Sequence, residues 1–181
     1  MPTPVELTFR PAVAEDAAHI AALINAAYRG EEGSAGWTHE MHLVDGPRTD
    51  AAEVRELIAT PGSVMLACVA AAQIVSSVLV QRQGDAAYLG MFVVKPQLQG
   101  AGVGKRLMQA AEEFARREWA ARRMTMTAIT LRPELIEFYG RRGYRATGEI
   151  VPFPPEAAVR ARVDGIELAV LEKDLEAASA P

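Results

Sequence analysis

The chain has 181 residues, a length that suits one ordinary domain with a full hydrophobic core. Hydrophobic residues make up 50% and charged residues 23%, which excludes the profile of a disordered chain. With 19 Lys and Arg against 23 Asp and Glu, the formal net charge is -4, and this argues against nucleic acid or an anionic membrane as a partner, because both attract an excess of basic residues.

No repeat or low-complexity tract divides the sequence, so we expect one domain over residues 5–175 and a short tail at 176–181. The N-terminus lacks a basic segment followed by an apolar one, so we expect no secretory signal and a cytoplasmic protein. The first predicted elements are a strand at 7–10, closed by Pro11, and an amphipathic helix. The apolar face of this helix contains Ile20, Leu23, Ile24 and Ala27.

Residues 29–46 predict a long loop, because glycines recur there and no periodicity is sustained. Loops of this length within a compact domain are often functional. His39 and His42 lie in it, but they lack the His-Glu-x-x-His spacing of a zinc-protease helix, so we expect no metal site. A second helix is predicted from about 50 to 59, ended by Pro61 and Gly62.

Three strands are predicted next, at 63–69, 74–81 and 86–94. Cys68 is the only cysteine, and its apolar neighbours indicate a core residue in a reducing compartment rather than a nucleophile. The run 88–94 is almost wholly apolar, which is typical of a central strand covered on both faces. Gly90 within it predicts a bulge or the close approach of a ligand.

A long amphipathic helix follows a glycine-rich turn. Its apolar face contains Val103, Leu107, Ala110, Ala111 and Phe114, and its predicted solvent face contains Arg106, Glu112, Glu113, Arg116 and Arg117. Then come a strand at 124–129, a short helix at 135–142, a strand at 144–151, a proline-rich loop and a last strand at 166–171. This alternation predicts an α/β fold with a mixed sheet and helices on both faces.

The turn before the long helix predicts an anion site. A buried strand runs through Gly100, Gly102 and Gly104 into the helix, and unpaired backbone N–H groups at the positive end of the helix dipole attract a phosphate. The spacing is one residue short of a P-loop, and Arg106 stands where a P-loop needs Ser or Thr. A dinucleotide fingerprint is also excluded, because the next strand has no acidic residue.

The pattern that fits is Gln-x-x-Gly-x-Gly, formed by Gln99, Gly102 and Gly104, and here the chain resembles the GNAT superfamily of acetyl-CoA-dependent N-acetyltransferases. The segment 137–144, Glu-Phe-Tyr-Gly-Arg-Arg-Gly-Tyr, stands where that family has its Phe-Tyr-x-x-x-Gly-Phe/Tyr motif. The resemblance covers residues 5–175. It implies a mostly antiparallel central sheet and transfer of an acetyl group from acetyl-CoA to a primary amine of a small molecule or peptide.

The resemblance also assigns the cofactor contacts. In the family the pyrophosphate of CoA lies on the glycine turn, which here contains Gln99, Gly100, Ala101, Gly102, Val103, Gly104 and Lys105. The strand before it binds the pantetheine arm and polarises the thioester through its backbone, which implies Phe92, Val93 and Val94. Many relatives have an Asn seven positions before the family tyrosine, whereas this chain has Arg132, which could instead reach a CoA phosphate.

Tyr139 is the candidate acid that protonates the departing thiolate, and its alternative interpretation is a core aromatic residue. No general base can be identified. Glu134 and Glu137 flank the tyrosine but are expected to be solvent-facing, and some relatives use ordered water.

The long loop lies where family members line the acceptor pocket, so Tyr28, Trp37 and Glu40 are candidate substrate contacts. Arg48 and Arg160 could bind a carboxylate of an amino-acid-like acceptor. The competing interpretation is a non-catalytic acyl-CoA-binding module of the same fold. Dimers are common in the family, and the C-terminal strand could pair across a homodimer interface.

Overall fold

One seven-stranded sheet organises the computed structural model, which describes residues 6–29 and 42–176. The strands are β1 (Thr8–Pro11), β2 (Ser63–Ala70), β3 (Gln73–Gln83), β4 (Ala86–Val94), β5 (Arg123–Ile129), β6 (Arg145–Pro152) and β7 (Glu167–Asp174). Their spatial order is β1-β2-β3-β4-β5-β7-β6, and every neighbouring pair is antiparallel except β4 with β5. The predicted mixed, mostly antiparallel sheet is confirmed, and β4 is its central strand.

Helices cover both faces of the sheet. They are α1 (Ala17–Arg29), α2 (Ala51–Ala59), α3 (Val103–Trp119), α4 (Pro133–Gly140) and α5 (Pro155–Ala158). On one face, α1 and α2 pack over Met91 and Val93 of β4; on the other, α3 packs over Phe92 and Val94. The alternation of β4 side chains between two apolar cores explains why its sequence is apolar throughout. In the described ranges, no helix is both long and apolar enough to cross a membrane.

The predicted faces of α1 and α3 need one correction. All four apolar residues chosen in α1 are buried, as are Val103, Leu107 and Ala111 in α3. Glu112, however, does not face solvent, because only 13% of its side chain is exposed. It follows the fully buried Met108 by one helical turn, so it lies at the edge of the apolar stripe.

The turn between β2 and β3 has no glycine, although its backbone has the geometry that usually selects one. Ala71 and Ala72 both have positive φ, at 47° and 63°, which is the conformation of a two-residue type I′ hairpin turn. This left-handed conformation costs a residue with a side chain about 1 kcal/mol. The antiparallel pairing of two long, buried strands supplies that energy, which local sequence does not reveal.

Two helices begin at prolines that the sequence analysis placed in loops. Helix α4 begins at Pro133, because proline fits the first turn of a helix. Part of the predicted proline-rich loop is helical, since Pro155 likewise opens the short α5. Cys68 is fully buried in β2, and burial raises the pKa of its thiol, in agreement with a core role.

Candidate active site

A cleft arises where β4 and β5 separate. Their parallel pairing is limited to Ala86–Tyr88 with Arg123–Thr125, although β5 stays paired with β7 as far as Ile129. Beyond Tyr88, β5 therefore no longer covers the edge of β4 that faces it. A cleft of about 420 Å³ occupies this gap, and residues of both strands line it, Tyr88 to Phe92 on one side and Met126 to Ile129 on the other.

A bulge in β4 bends the strand at the cleft. Ser77 pairs with Val93 and Leu79 with Gly90, so Met91 and Phe92 share one opposing residue, and Met91 has a φ of 47°. The predicted bulge is thus present, one residue after Gly90. Gly90 lines the cleft and also makes room for a neighbouring ring, because a Cβ there would lie 2.8 Å from Cε1 of Tyr88.

Two hydroxyl contacts fix the walls of the cleft near the bulge. The Tyr28 hydroxyl donates a hydrogen bond to the Phe92 carbonyl over 2.8 Å. The hydroxyls of Tyr88 and Thr127 lie 3.3 Å apart and join β4 to β5 just beyond their last paired residues. Tyr88 and Thr127 cannot be paired from the sequence, because their proximity depends on the register of two strands that lie far apart in the chain.

The glycine turn, residues 99–105, connects the end of β4 to α3. The Gln99 amide donates a hydrogen bond of 3.2 Å to the Val94 carbonyl. Gly102 is the N-cap of α3 with a φ of 78°, and a Cβ on it would meet no atom within 4 Å. Gly104 serves packing instead, because a Cβ there would lie only 3.1 Å from Phe92 and 3.3 Å from Val94.

The start of α3 has the properties of an anion site. The first helical bond is donated by the Arg106 N–H to Gly102, so the N–H groups that precede it have no partner within the helix. The helix has 17 residues and no acidic residue in its first turn, so its positive dipole end is not neutralised there. Space above Gly100 and Gly102 is open. A ligand can therefore reach the predicted phosphate contacts from this side.

Tyr139 belongs both to the core and to the cleft. Its side chain lines the cleft, yet the residue is only 8% exposed. Its ring makes edge-to-face contacts with Phe92, Phe138 and Tyr144, at centroid distances of 6.4, 5.3 and 6.3 Å. Leu135, one turn earlier in α4, lines the same wall. The catalytic and the core interpretations of Tyr139 are thus compatible.

A buried polar network closes the aromatic cluster on the side of α3. The Tyr144 hydroxyl donates to Glu112 over 2.9 Å, and the Lys173 ammonium donates to the other carboxylate oxygen over 2.7 Å. Burial raises the pKa of Tyr144 well above its ordinary value, so its hydroxyl stays protonated and remains a donor. The burial of Glu112 follows from these two partners, which come from distant parts of the chain.

Arg132 lies at the start of α4, where its guanidinium forms an ion pair with Glu134. Only 8% of the Arg132 side chain is exposed, against 57% for Glu134, and the hydrogen bond from Arg132 lowers the pKa of that carboxyl. Among the described residues, Arg132 is not one that lines the cleft. Glu134 and Glu137 are both exposed, as expected for solvent-facing helical carboxylates.

Three arginines line the end of the cleft on the face covered by α1 and α2: Arg29, Arg48 and Arg160. The Arg48 guanidinium lies 5.9 Å from the centroid of the Tyr28 ring. Glu53, Glu156 and Phe153 line the same region and were not singled out from the sequence. Trp37 and Glu40 lie outside the described residues.

The cleft therefore passes through the sheet. The glycine turn and α3 lie on one face, whereas Tyr28, Arg48 and the loop before α2 lie on the other. Residues from both faces line the same space, including Tyr28 from α1 and Tyr139 from α4. Tyr28 from one face and Tyr139 from the other thus line one continuous space beside the bulge in β4.

Comparisons with known proteins agree with this architecture. The sequence model of the acetyltransferase (GNAT) domain matches residues 30–153, whereas no curated protein matches the chain. An N-acetyltransferase from Staphylococcus aureus Mu50 superposes with a TM-score of 0.72 at 10% identity, over 94% of this chain and 99% of that one. A ribosomal-protein alanine N-acetyltransferase from Escherichia coli gives 0.68 at 12%, over 94% of both chains.

Mutant forms of a spermidine/spermine N-acetyltransferase from Vibrio cholerae give a TM-score of 0.67 at 14% identity, over 94% of this chain and 95% of that one. At such low identities the superpositions establish a shared fold and no shared acceptor. The domain model covers well over half of the sequence, and the protein is therefore an acetyltransferase that belongs to the GNAT family.

Proposed function

We propose that the protein transfers the acetyl group of acetyl-CoA to a primary amine of a small molecule or peptide by direct attack of the amine. The observation that carries this proposal is the gap between β4 and β5, which opens next to both Tyr139 and the strand end that leads into the glycine turn. An extended ligand arm can lie along the uncovered edge of β4 with its reactive end near the tyrosine. Buried Cys68, the only cysteine, is not needed for such a reaction.

Acetyl-CoA fits the residues that the chain presents. The open space above Gly100 and Gly102 and the first N–H groups of α3 suit a pyrophosphate. Lys105 is exposed in the first turn of α3 and adds a positive charge there. We assign the pyrophosphate to residues 99–105 and the pantetheine arm to the backbone of Phe92, Val93 and Val94.

The end of β4 is rigid, which favours a preorganised site. The carbonyls of Phe92, Val93 and Val94 each accept a hydrogen bond, from the hydroxyls of Tyr28 and Ser76 and from the Gln99 amide. These bonds fix the orientation of successive peptide groups. Dipoles that are held in place before the reaction stabilise developing charge without paying to reorganise, which is how a backbone stabilises an oxyanion.

The chemical step needs a proton for the departing sulfur. The acceptor nitrogen, as a neutral amine, forms the C–N bond at the thioester carbonyl, and the C–S bond then breaks with its electron pair going to sulfur. Tyr139 donates its hydroxyl proton to that sulfur, and water returns the proton that the amine loses. A phenol has a reference pKa of about 10 and a thiol one of about 8.5, so proton transfer from Tyr139 to the thiolate is slightly unfavourable. The positioning of the two groups therefore matters.

The acceptors named for the structural relatives differ, from spermidine or spermine to an alanine of a ribosomal protein. Neither is transferred to this chain by fold alone. The walls of the cleft on the α1 face, which include Tyr28 and Arg48, are the surfaces that we assign to the acceptor.

The test is the Tyr139→Phe variant with two readouts. We expect calorimetric titration to give unchanged acetyl-CoA affinity, whereas thiol release with amine acceptors falls about 100-fold, the usual size of a lost acid–base contribution. Tyr144→Phe is the matched control, because it removes a hydroxyl from the same aromatic cluster but does not line the cleft; its turnover should stay within a few-fold of the wild type. Full turnover by Tyr139→Phe would eliminate the acid role.

The same two readouts, applied to the wild-type protein, separate the transferase from a non-catalytic acyl-CoA-binding module. A module binds acetyl-CoA but releases no thiol with any amine. Absence of acetyl-CoA binding to the wild-type protein would contradict both readings.

A further inference from the structure

Two guanidinium groups at the α1 face of the cleft have no carboxylate partner among the residues that the structure describes. Arg48 and Arg160 both line the cleft, and in the described part of the chain neither forms an ion pair with a carboxylate. The nearby Arg162 differs, because it pairs with Asp45. Arginine stays protonated in proteins, so both groups present a full positive charge to whatever enters.

The backbone holds Arg48 in place. The Asn25 side chain in α1 accepts hydrogen bonds from the N–H groups of Arg48 and Thr49, at 2.7 and 3.1 Å, and donates one to the Thr49 carbonyl at 2.8 Å. The Arg48 guanidinium lies over the Tyr28 ring, which leaves the donor edge of the planar group available for a ligand.

Backbone bonds between residues 44–45 and residues 160–161 place Arg160 at the same end of the cleft. Val44 and Ala161 form an isolated antiparallel bridge, and the Asp45 N–H donates to the Arg160 carbonyl over 2.8 Å. The Arg160 guanidinium then reaches Pro47 and donates to its carbonyl over 3.2 Å. Arg160 is therefore held next to Arg48 by a bond that involves no carboxylate.

The two described carboxylates that line the cleft, those of Glu53 and Glu156, form no ion pair with Arg48 or Arg160. Glu53 accepts a hydrogen bond of 2.5 Å from the Thr49 hydroxyl, and Glu156 lies exposed on α5. Arg29 also lines the cleft. The described lining residues therefore hold three arginines against two glutamates.

We propose that the acceptor amine carries an oxyanion, a carboxylate or a phosphate, that Arg48 and Arg160 bind while the amine points toward Tyr139. This inference rests on the proposed acetyl transfer. Guanidinium groups match the geometry of both oxyanions and can donate two parallel hydrogen bonds to either. A polyamine would instead bring a second ammonium against the two unneutralised guanidinium groups.

The acceptor test uses pairs of amines that differ only in the oxyanion. Phenylalanine against phenylalaninamide removes a carboxylate, and its ring suits the apolar walls formed by Met126, Leu135 and Phe153. O-phosphoethanolamine against ethanolamine removes a phosphate, and spermidine represents the polyamines. The amide has the less basic amine, so without recognition of the carboxylate it would be the better acceptor. We expect kcat/KM to favour the oxyanion member of at least one pair by about tenfold.

Variants connect the preference to the arginines. Arg48→Gln and Arg160→Gln should each raise KM for the preferred acceptor by about tenfold and leave KM for acetyl-CoA unchanged. Arg162→Gln is the matched control, because it changes an arginine of the same loop that pairs with Asp45 and does not line the cleft; it should keep the wild-type preference.

A second readout does not depend on turnover. The wild-type protein, saturated with CoA, is titrated calorimetrically with each member of the two pairs. Equal binding and equal turnover of oxyanion and neutral members, or a preference for spermidine, would overturn the inference while leaving the acetyl transfer intact. Oxyanion binding without thiol release from any amine would instead support the anion site and contradict the transferase.

Discussion

The Tyr28 hydroxyl and the Phe92 carbonyl, 2.8 Å apart, connect the last turn of α1 to the bulge of β4. The bulge residues Met91 and Phe92 line the cleft, and Tyr28 itself lines it as well. One hydrogen bond thus joins the wall assigned to the acceptor with the backbone assigned to the pantetheine arm.

Removing the Tyr28 hydroxyl should lower the stability of the protein and weaken its use of acetyl-CoA. We expect Tyr28→Phe to lower the free energy of unfolding by about 1 kcal/mol, since it leaves a part-buried carbonyl without this donor. We also expect a several-fold higher KM for acetyl-CoA, because the peptide at Phe92 is no longer fixed. Urea unfolding and steady-state kinetics measure these effects. Thr147→Val is the control, because it removes a hydroxyl-to-carbonyl bond of 3.2 Å on exposed β6; an equal rise in KM there would contradict the argument.

Two glycines offer a matched test of the anion site. Gly102 and Gly84 have φ values of 78° and 63°, and a Cβ on either would meet nothing within 4 Å. Each substitution by alanine therefore costs a similar backbone strain, about 1 kcal/mol. Only Gly102→Ala should weaken acetyl-CoA binding, by about tenfold, because Gly84 lies in the turn between β3 and β4. Equal acetyl-CoA affinities of Gly102→Ala and Gly84→Ala would contradict the assignment of the glycine turn to the cofactor site.

The contact between Gly90 and Tyr88 can be measured as a coupling free energy. A Cβ at Gly90 would lie 2.8 Å from the Tyr88 ring, so Gly90→Ala must displace the ring and its 3.3 Å contact with Thr127. We expect a loss of about 2 kcal/mol in unfolding free energy. The loss should shrink when Tyr88 is also replaced by alanine, since the clash is then gone. Additive effects in this double-mutant cycle would show that the strain lies in the backbone instead.

The ion pair of Asp16 predicts a specific pH dependence. The Arg10 hydrogen bond lowers the pKa of Asp16, and the Val13 N–H contributes in the same direction. Stability from this carboxylate is therefore complete above its unfolded pKa of about 3.9 and is lost as the pH falls through the lower folded value. Asp16→Asn should lower the free energy of unfolding by about 1 kcal/mol at pH 7, and it should have no effect at a pH below both the folded and the unfolded pKa of Asp16. Thermal unfolding at both pH values tests this, and a difference that persists in acid would contradict it.

Local patterns were sufficient for the elements that have a strong period. The apolar run of β4, the stripe of α3 and the glycine turn are encoded over short stretches, and family motifs then led to Tyr139. Contacts between distant segments were not accessible in this way. Glu112 is buried only because Tyr144 and Lys173 meet it, and the pair of Tyr88 with Thr127 depends on the β4–β5 register.

The short pairing of β4 with β5 also bears on how the molecule holds together. Strands β1 to β4 form one antiparallel ladder and β5 to β7 another, and only three residue pairs of β4 with β5 join the two ladders directly. Below the cleft a shared apolar core that includes Leu89, Met124 and Leu171 also connects them. A ligand in the gap touches both ladders at once. Ligand binding therefore adds contacts between the two ladders, so the loaded protein should unfold at a higher temperature than the empty one.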